Sequence, residues 1–140
     1  MSHRLNINPP SLWPSRGYPM HHAVVEPEGR RVHLTGQVAW DAQGRVIGAD
    51  DAEAQTHAAL DNIERILAAL GGTLDDVVSL TTFFTHDGDR QAISRARQAR
   101  LKPDFGPAAT GVRVAGLWSP DLLVELTAIA VIPPERFKTP

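Results

Sequence analysis

The segment from Gly106 to Pro133 constrains the fold most, because two β-branched, apolar runs flank a turn signal at residues 118–121. Side chains alternate between the two faces of a strand. We therefore predict two paired strands whose core face carries Val112, Val114, Val124, Leu126, Ala128 and Ala130. Glu125 falls on the other face of the second strand, where a carboxylate among apolar neighbours needs a partner or a function.

The first explanation for Glu125 is an ion pair across the predicted hairpin. A turn centred near Ser119 would place Arg113 opposite Glu125 on a half-buried sheet face, where opposite charges stabilise strand pairing. Ala109 and Gly111 would share that face. The second explanation, in which the carboxylate takes part in chemistry, stays open at this point.

The composition excludes several classes of protein. A chain of 140 residues is long enough for one domain with its own core. Because it contains no cysteine, disulfides, zinc-thiolate sites and thiol nucleophiles are ruled out. No stretch approaches the roughly 18 apolar residues of a membrane span, and residues 1–10 do not resemble an export signal. We therefore expect a cytoplasmic protein without a membrane partner.

Proline and charge distribution indicate the domain organisation. Residues 1–20 contain four prolines and are predicted as an irregular arm, held against the body by apolar side chains such as Trp13. We assign the folded domain to residues 21–134 and a tail to residues 135–140. The net charge of −2 gives no reason to expect a nucleic-acid partner.

Periodicity and capping signals predict the order of elements within the domain. The predicted elements are a hairpin over 21–38, a helix over 51–70 capped by Asp50, a strand over 77–85, a helix from Asp87 or Asp89 to Lys102, and the final two strands. This ββαβαββ order is typical of an α+β fold with both helices on one face of the sheet. The bare face would carry Leu123, Ile129 and Phe83 among polar side chains, and we expect other copies of the chain to cover it in a closed ring.

The remaining chemistry-bearing residues match no motif. Histidine occurs at positions 3, 21, 22, 33, 57 and 86, never at the i, i+4 spacing of a helical metal site, so no metal is expected. Glycine-rich phosphate loops and a G-x-S-x-G elbow are absent from the sequence, and no cofactor is expected. Basic residues late in the second helix predict a solvated face that complements the helix C-terminus; they are Arg95, Arg97, Arg100 and Lys102.

Ordered sequence elements over residues 17–132 carry a resemblance to a known family. They are Gly17-Tyr18, His22-Ala23-Val24, the stretch 34–38 (LTGQV), Gln55 with the stretch 60–63 (LDNI), the stretch 75–78 (DDVV), Pro107-Ala108 and the stretch 123–130 (LVELTAIA). In this order the chain resembles the RidA family, also called YjgF or endoribonuclease L-PSP-like. The resemblance implies a chorismate-mutase-like fold and a homotrimer that encloses a barrel, with three small-molecule clefts between subunits.

The resemblance also implies a chemistry. Deaminating members of the family hydrolyse reactive enamines and imines, such as 2-aminoacrylate, to a 2-oxo acid and ammonia. A glutamate on the last strand, matched here by Glu125, positions the attacking water. An arginine directly after Pro-Ala binds the substrate carboxylate, and Ala109 stands at that position. Because a methyl group donates no hydrogen bond, the standard 2-imino acid deaminase activity is not expected.

Further contacts of the implied cleft can be assigned to this chain. The aromatic residue that precedes the family's first strand aligns near Met20, with Tyr18 close by. Gly36 would offer a backbone N–H, and Trp40 or Phe84 would form apolar walls. Arg113 lies about four residues along the strand from position 109, roughly 13 Å at the usual strand rise, and could not replace the missing arginine within one subunit.

Three functions remain after these assignments. The first is an enzyme in which Glu125 positions water for attack on a small imine, enamine or related carbonyl compound. The second is a non-catalytic module that binds a small ligand or a partner and holds Glu125 with Arg113. The third is a ribonuclease or translation regulator, which the lack of a basic groove with stacking aromatics does not favour.

Overall fold

The computed structural model describes residues 3–140, which form an α+β fold around a mixed four-stranded sheet. The strands are β1 (Leu5–Ile7), β2 (Ala23–Val25), β3 (Arg30–His33), β4 (Val77–Phe84), β5 (Ala108–Arg113) and β6 (Val124–Ile132). The helices are α1 (Ala52–Ala69) and α2 (Arg90–Arg100). The predicted α+β class and both predicted helices are therefore confirmed, and the homotrimeric barrel stays a prediction.

The order of strands in the main sheet is β3-β6-β4-β5, so β4 separates the two strands that the sequence predicts as a hairpin. β5 runs parallel to β4 after the α2 crossover, and β6 returns antiparallel on the other side of β4. The predicted pairing of β5 with β6 is wrong. The connection over residues 114–123 is long enough to carry the chain past β4, whereas alternation identifies the faces of a strand but not its neighbours.

The register of β5 reverses the faces that we predicted for it. Arg113 pairs with Phe84, and Phe83 pairs with both Val112 and Glu125. Val112, predicted for the core, lies on the face of Glu125 and is 37% exposed. The predicted ion pair between Arg113 and Glu125 is therefore absent. The Arg113 guanidinium instead lies 3.6 Å from the Asp87 carboxylate.

The N-terminal strand pairing also differs from the prediction. β2 pairs with β1, and β3 pairs with β6, so the predicted hairpin over residues 21–38 does not form. The arm predicted as irregular supplies β1. Arg4 anchors this strand by donating hydrogen bonds to the backbone carbonyls of Asp75, Val77 and Gly106.

Capping interactions fix both ends of α1. The N-cap is Asp51, whose side chain accepts a hydrogen bond of 3.0 Å from the Ala54 N–H. The prediction of Asp50 was one residue early. At the other end Gly71 has a φ of +84°, and Gly72 donates to the Leu67 carbonyl at 2.8 Å, which completes a Schellman motif.

The core lies between the sheet and the two helices, as predicted. Side chains from both helices and from β4 and β6 form one buried cluster, which includes Leu60, Ile63, Leu67, Leu80, Ile93, Val124, Leu126 and Ala128. The opposite face of the sheet carries half-buried side chains, among them Ser79, Thr81, Phe83, Glu125, Thr127 and Ile129. Within residues 3–140, neither helix has the length and apolar character needed to cross a membrane.

An ion pair between the exposed Arg136 and the buried Asp76 attaches the C-terminal segment to the turn after α1. Arg136 donates hydrogen bonds of 2.9 and 2.6 Å to the two carboxylate oxygens of Asp76, which is 8% exposed. The same contact raises the pKa of Arg136. Because Asp76 also accepts from the Thr73 N–H, it links three parts of the chain.

We predict that Arg136→Met lowers the free energy of unfolding by about 1–3 kcal/mol, because Asp76 then stays buried without its cation. Urea denaturation followed by circular dichroism measures this change. The matched control is Arg45→Met, which removes an exposed ion pair with Asp41 and should cost less than about 0.5 kcal/mol. Equal effects of the two substitutions would contradict the prediction.

Candidate functional site

Glu125 lies in β6 on the sheet face away from the helices. It pairs in register with Phe83 of β4 and is half-buried. Among the residues that the structure describes, its carboxylate has no hydrogen-bond donor and no cation as partner. A carboxylate in this state is available to accept a hydrogen bond or a proton from a ligand or water.

Gly36 lies directly against this carboxylate. After β3 the chain continues beside β6, where Gln37 and Leu126 exchange backbone hydrogen bonds of 2.8 and 2.9 Å. A Cβ atom at position 36 would collide with Oε2 of Glu125. Only glycine therefore allows the carboxylate to lie over this backbone.

Two tryptophans flank the groove in front of Glu125. The groove has a volume of about 430 Å³ and is lined by Thr35, Gly36, Val38, Trp40, Trp118 and Glu125. Trp118 is 85% exposed, the largest exposure among the large apolar side chains of residues 3–140. A second cavity of about 590 Å³ continues from Thr35 and Trp40 toward Asn62 and Arg65.

The groove combines one acceptor with apolar walls. In such surroundings a carboxylate can orient a water molecule and take a proton from it as that water attacks an electrophile. Aromatic walls limit the water that reaches the ligand. The arrangement suits hydrolysis of a small, flat molecule better than recognition of a charged polymer.

The structure brings together three of the predicted site residues and separates the others. Glu125, Gly36 and Trp40 line the same groove. Phe84 lines a different cavity, and Tyr18 contacts Arg97 beside it; both lie across the sheet from Glu125.

Three further predicted residues have other surroundings. Ala109 and Arg113 pair in register with Leu80 and Phe84, so both fall on the helix-covered face of the sheet. Met20 donates from its backbone to the Tyr18 carbonyl at 2.7 Å and lines neither cavity.

The sequence predicted neither the place of Trp118 in the groove nor the burial of Arg97. Trp118 was assigned to a turn, although a large aromatic next to a Ser-Pro turn is an exposed apolar group that signals a contact surface. Arg97 was predicted on a solvated face but is 7% exposed. It follows Ile93 by four residues, a spacing that places both on one side of a helix.

Two of the histidines that the structure describes, His21 and His22, hold segments of the chain together through hydrogen bonds. His21 bonds to the Asn8 side chain and to the Pro103 carbonyl, and His22 bonds to the Trp13 carbonyl. Within residues 3–140, no group of three or more histidine, aspartate or glutamate side chains is placed to hold a metal ion.

Comparison with known proteins gives a consistent result. The sequence model of the family described as endoribonuclease L-PSP matches residues 15–132. The Rid-family protein YyfB from Yersinia pestis is 35% identical, with a TM-score of 0.81 over 92% of this chain and 98% of that protein. A putative endoribonuclease from Thermotoga maritima is 30% identical, with a TM-score of 0.67 over 89% of this chain and 91% of that one.

A third solved structure is similar over most of the chain. RidA from an Antarctic Psychrobacter species is 29% identical, with a TM-score of 0.68 over 80% of this chain and 87% of that protein. The match over residues 15–132 includes both helices, the main sheet and the groove at Glu125. The chain therefore belongs to the endoribonuclease L-PSP family, which is also known as the RidA or YjgF family.

Proposed function

We propose that this protein is a homotrimeric hydrolase that acts on a small imine, enamine or related carbonyl compound, with Glu125 positioning the attacking water. The observation that carries the proposal is the carboxylate of Glu125, which has no partner among residues 3–140 and lies over Gly36 in a groove walled by two tryptophans. The alternative of an inert Glu125 held by Arg113 loses its support, because Arg113 lies beside Asp87.

The chemistry needs only a base and a bound electrophile. Glu125 accepts a proton from water as the oxygen adds to the carbon of the C=N bond, which gives a carbinolamine. This proton passes to nitrogen, and the C–N bond breaks as the hydroxyl proton of the carbinolamine also moves to nitrogen, so that ammonia leaves and a carbonyl compound remains. An enamine enters the same sequence after it tautomerises to the imine. The reaction consumes one water and needs no cofactor.

The proposed trimer would enclose the groove. The face that carries Glu125 also carries Phe83, Val112 and Ile129, and Trp118 projects beside it. Polar side chains lie between these residues, but a sheet face that exposes several large apolar side chains is normally covered in a soluble assembly. Copies of the same chain are the simplest cover, and closed rotational symmetry is the usual arrangement of identical subunits.

The substrate differs from that of the standard deaminases at one contact. Position 109, which carries the carboxylate-binding arginine in deaminating relatives, is alanine. Loss of a bidentate guanidinium contact removes a strong and directional interaction. The preferred substrate therefore either lacks a carboxylate at that point or binds it through another group.

We predict that Glu125→Gln lowers the rate of imine hydrolysis by about 10²- to 10⁴-fold, the usual contribution of a general base. The assay generates small imines enzymatically, compares 2-iminobutanoate with an imine that lacks a carboxylate, and follows the released ammonia. Glu64→Gln, on the exposed surface of α1, is the matched control and should retain the wild-type rate. No acceleration by the wild-type protein, or equal rates for both variants, would refute the proposed role.

We predict that Gly36→Ala reduces the same activity by at least about tenfold without unfolding the protein, because the new methyl group must displace the Glu125 carboxylate. Gly88→Ala is the control, since a Cβ atom there would meet no atom within 4 Å. Circular dichroism verifies the fold of both variants. Full activity of Gly36→Ala would show that the position of this carboxylate does not matter.

A further inference from the structure

Arg97 of α2 is a buried cation without a counterion. It is 7% exposed, and its Nε and Nη2 atoms have no hydrogen-bond partner. Among residues 3–140 no carboxylate forms an ion pair with it, whereas Arg95 and Arg100 on the same helix pair with Glu53 and Asp61. A buried charge without a partner costs folding free energy, so its presence here points to a function.

The guanidinium of Arg97 is held in place rather than mobile. Its carbon lies 5.4 Å from the centre of the Tyr18 ring, and the Tyr18 hydroxyl donates to the Ser94 hydroxyl at 3.4 Å. Burial lowers the pKa of Arg97, in keeping with the absence of a nearby anion. The donors are therefore oriented before any ligand arrives.

Arg97 lines a small cavity between α2 and the β4–β5 edge of the sheet. The cavity has a volume of about 140 Å³ and is lined by Thr82, Arg90, Ile93, Ser94, Arg97 and Gly111, together with Phe84. The Thr82 hydroxyl is buried and also lacks a hydrogen-bond partner. No acidic side chain belongs to this lining, and Arg90 adds a second positive charge.

We propose that this cavity binds the carboxylate of a small organic acid, with Arg97 as its bidentate donor and the Thr82 hydroxyl as an additional donor. The Nε and Nη2 edge of an arginine matches the two oxygens of a carboxylate. A cavity of about 150 Å³ holds a molecule of benzene, which has six heavy atoms. Pyruvate also has six, so the cavity suits acids of about three or four carbons.

The position of Ala109 connects this site with the proposed reaction. Ala109 and Gly111 pair in register with Leu80 and Thr82, so residue 109 faces the same side of β5 as the cavity. Arg97 thus lies on the same side of the sheet as the position at which deaminating relatives carry their arginine. That Arg97 serves the substrate of the hydrolysis rests on the proposed function; the carboxylate site itself does not.

Arg97 and Glu125 belong to opposite faces of the sheet within one protomer. Glu125 shares its face with Phe83, whereas the cavity opens on the face of Thr82 and Phe84. A single substrate could contact both groups only where two protomers meet. Binding at Arg97 is therefore best tested apart from turnover.

The test measures the melting temperature of the full-length protein at pyruvate concentrations from 0 to 50 mM. This range is wide enough to detect weak binding. We expect pyruvate to raise the melting temperature of the wild type. Arg97→Met should abolish this response and should raise the melting temperature of the ligand-free protein, because it removes an unpaired buried charge. Arg95→Met, on the exposed side of the same helix, should respond like the wild type.

Further variants separate this site from the groove at Glu125 and from other anions. Thr82→Val should weaken pyruvate binding several-fold, and Glu125→Gln should leave it unchanged. A wild type that does not respond to pyruvate, or an Arg97→Met variant that responds fully, overturns the proposal. A larger response to inorganic phosphate than to pyruvate overturns the assignment to a carboxylate. If Arg97→Met fails to fold, the several-fold weaker binding of pyruvate by Thr82→Val supports the proposal, and unchanged binding overturns it.

Discussion

The structure depends on a sheet that its own helices cover on one face only. α1 and α2 pack against alternate residues of β4 and β6, and the side chains between them form the single core cluster. The other alternate residues have no covering element within residues 3–140. This asymmetry determines the location of the groove at Glu125 and the surface available to a second copy of the chain.

The close approach of Glu125 to Gly36 follows from the same sheet. β6 is paired on both sides, by β3 and β4, and the chain after β3 stays beside it as far as Gln37. Two backbones at strand separation leave room for the Glu125 carboxylate only if the facing residue has no side chain. A glycine in the right register therefore creates the acceptor site, and the two tryptophans give it apolar walls.

Apolar spacing, glycine positions and β-branched residues predicted the helices and strands that depend on neighbouring residues. The length of α1 followed from its apolar spacing and its terminal glycines, and the position of β4 followed from β-branched residues. Pairing partners could not be predicted, because alternation along β5 and β6 is compatible with a hairpin and with an intervening strand. The faces of β5 were consequently reversed, and with them the surroundings of Ala109 and Arg113. The burial of Arg97 was not predicted, because its charge alone favoured a solvent-exposed position. Its spacing from Ile93 nevertheless places it on the buried side of α2.

The proposed trimer buries the sheet face around Glu125 between copies of this chain. Sedimentation equilibrium at micromolar concentration measures this most directly, since the mass of one chain is 15.2 kDa. We predict a single species with three times that mass, and a shift toward lower mass when Val112→Lys places a charge on the exposed part of this face. A wild-type protein that sediments as a single chain at these concentrations would contradict the account.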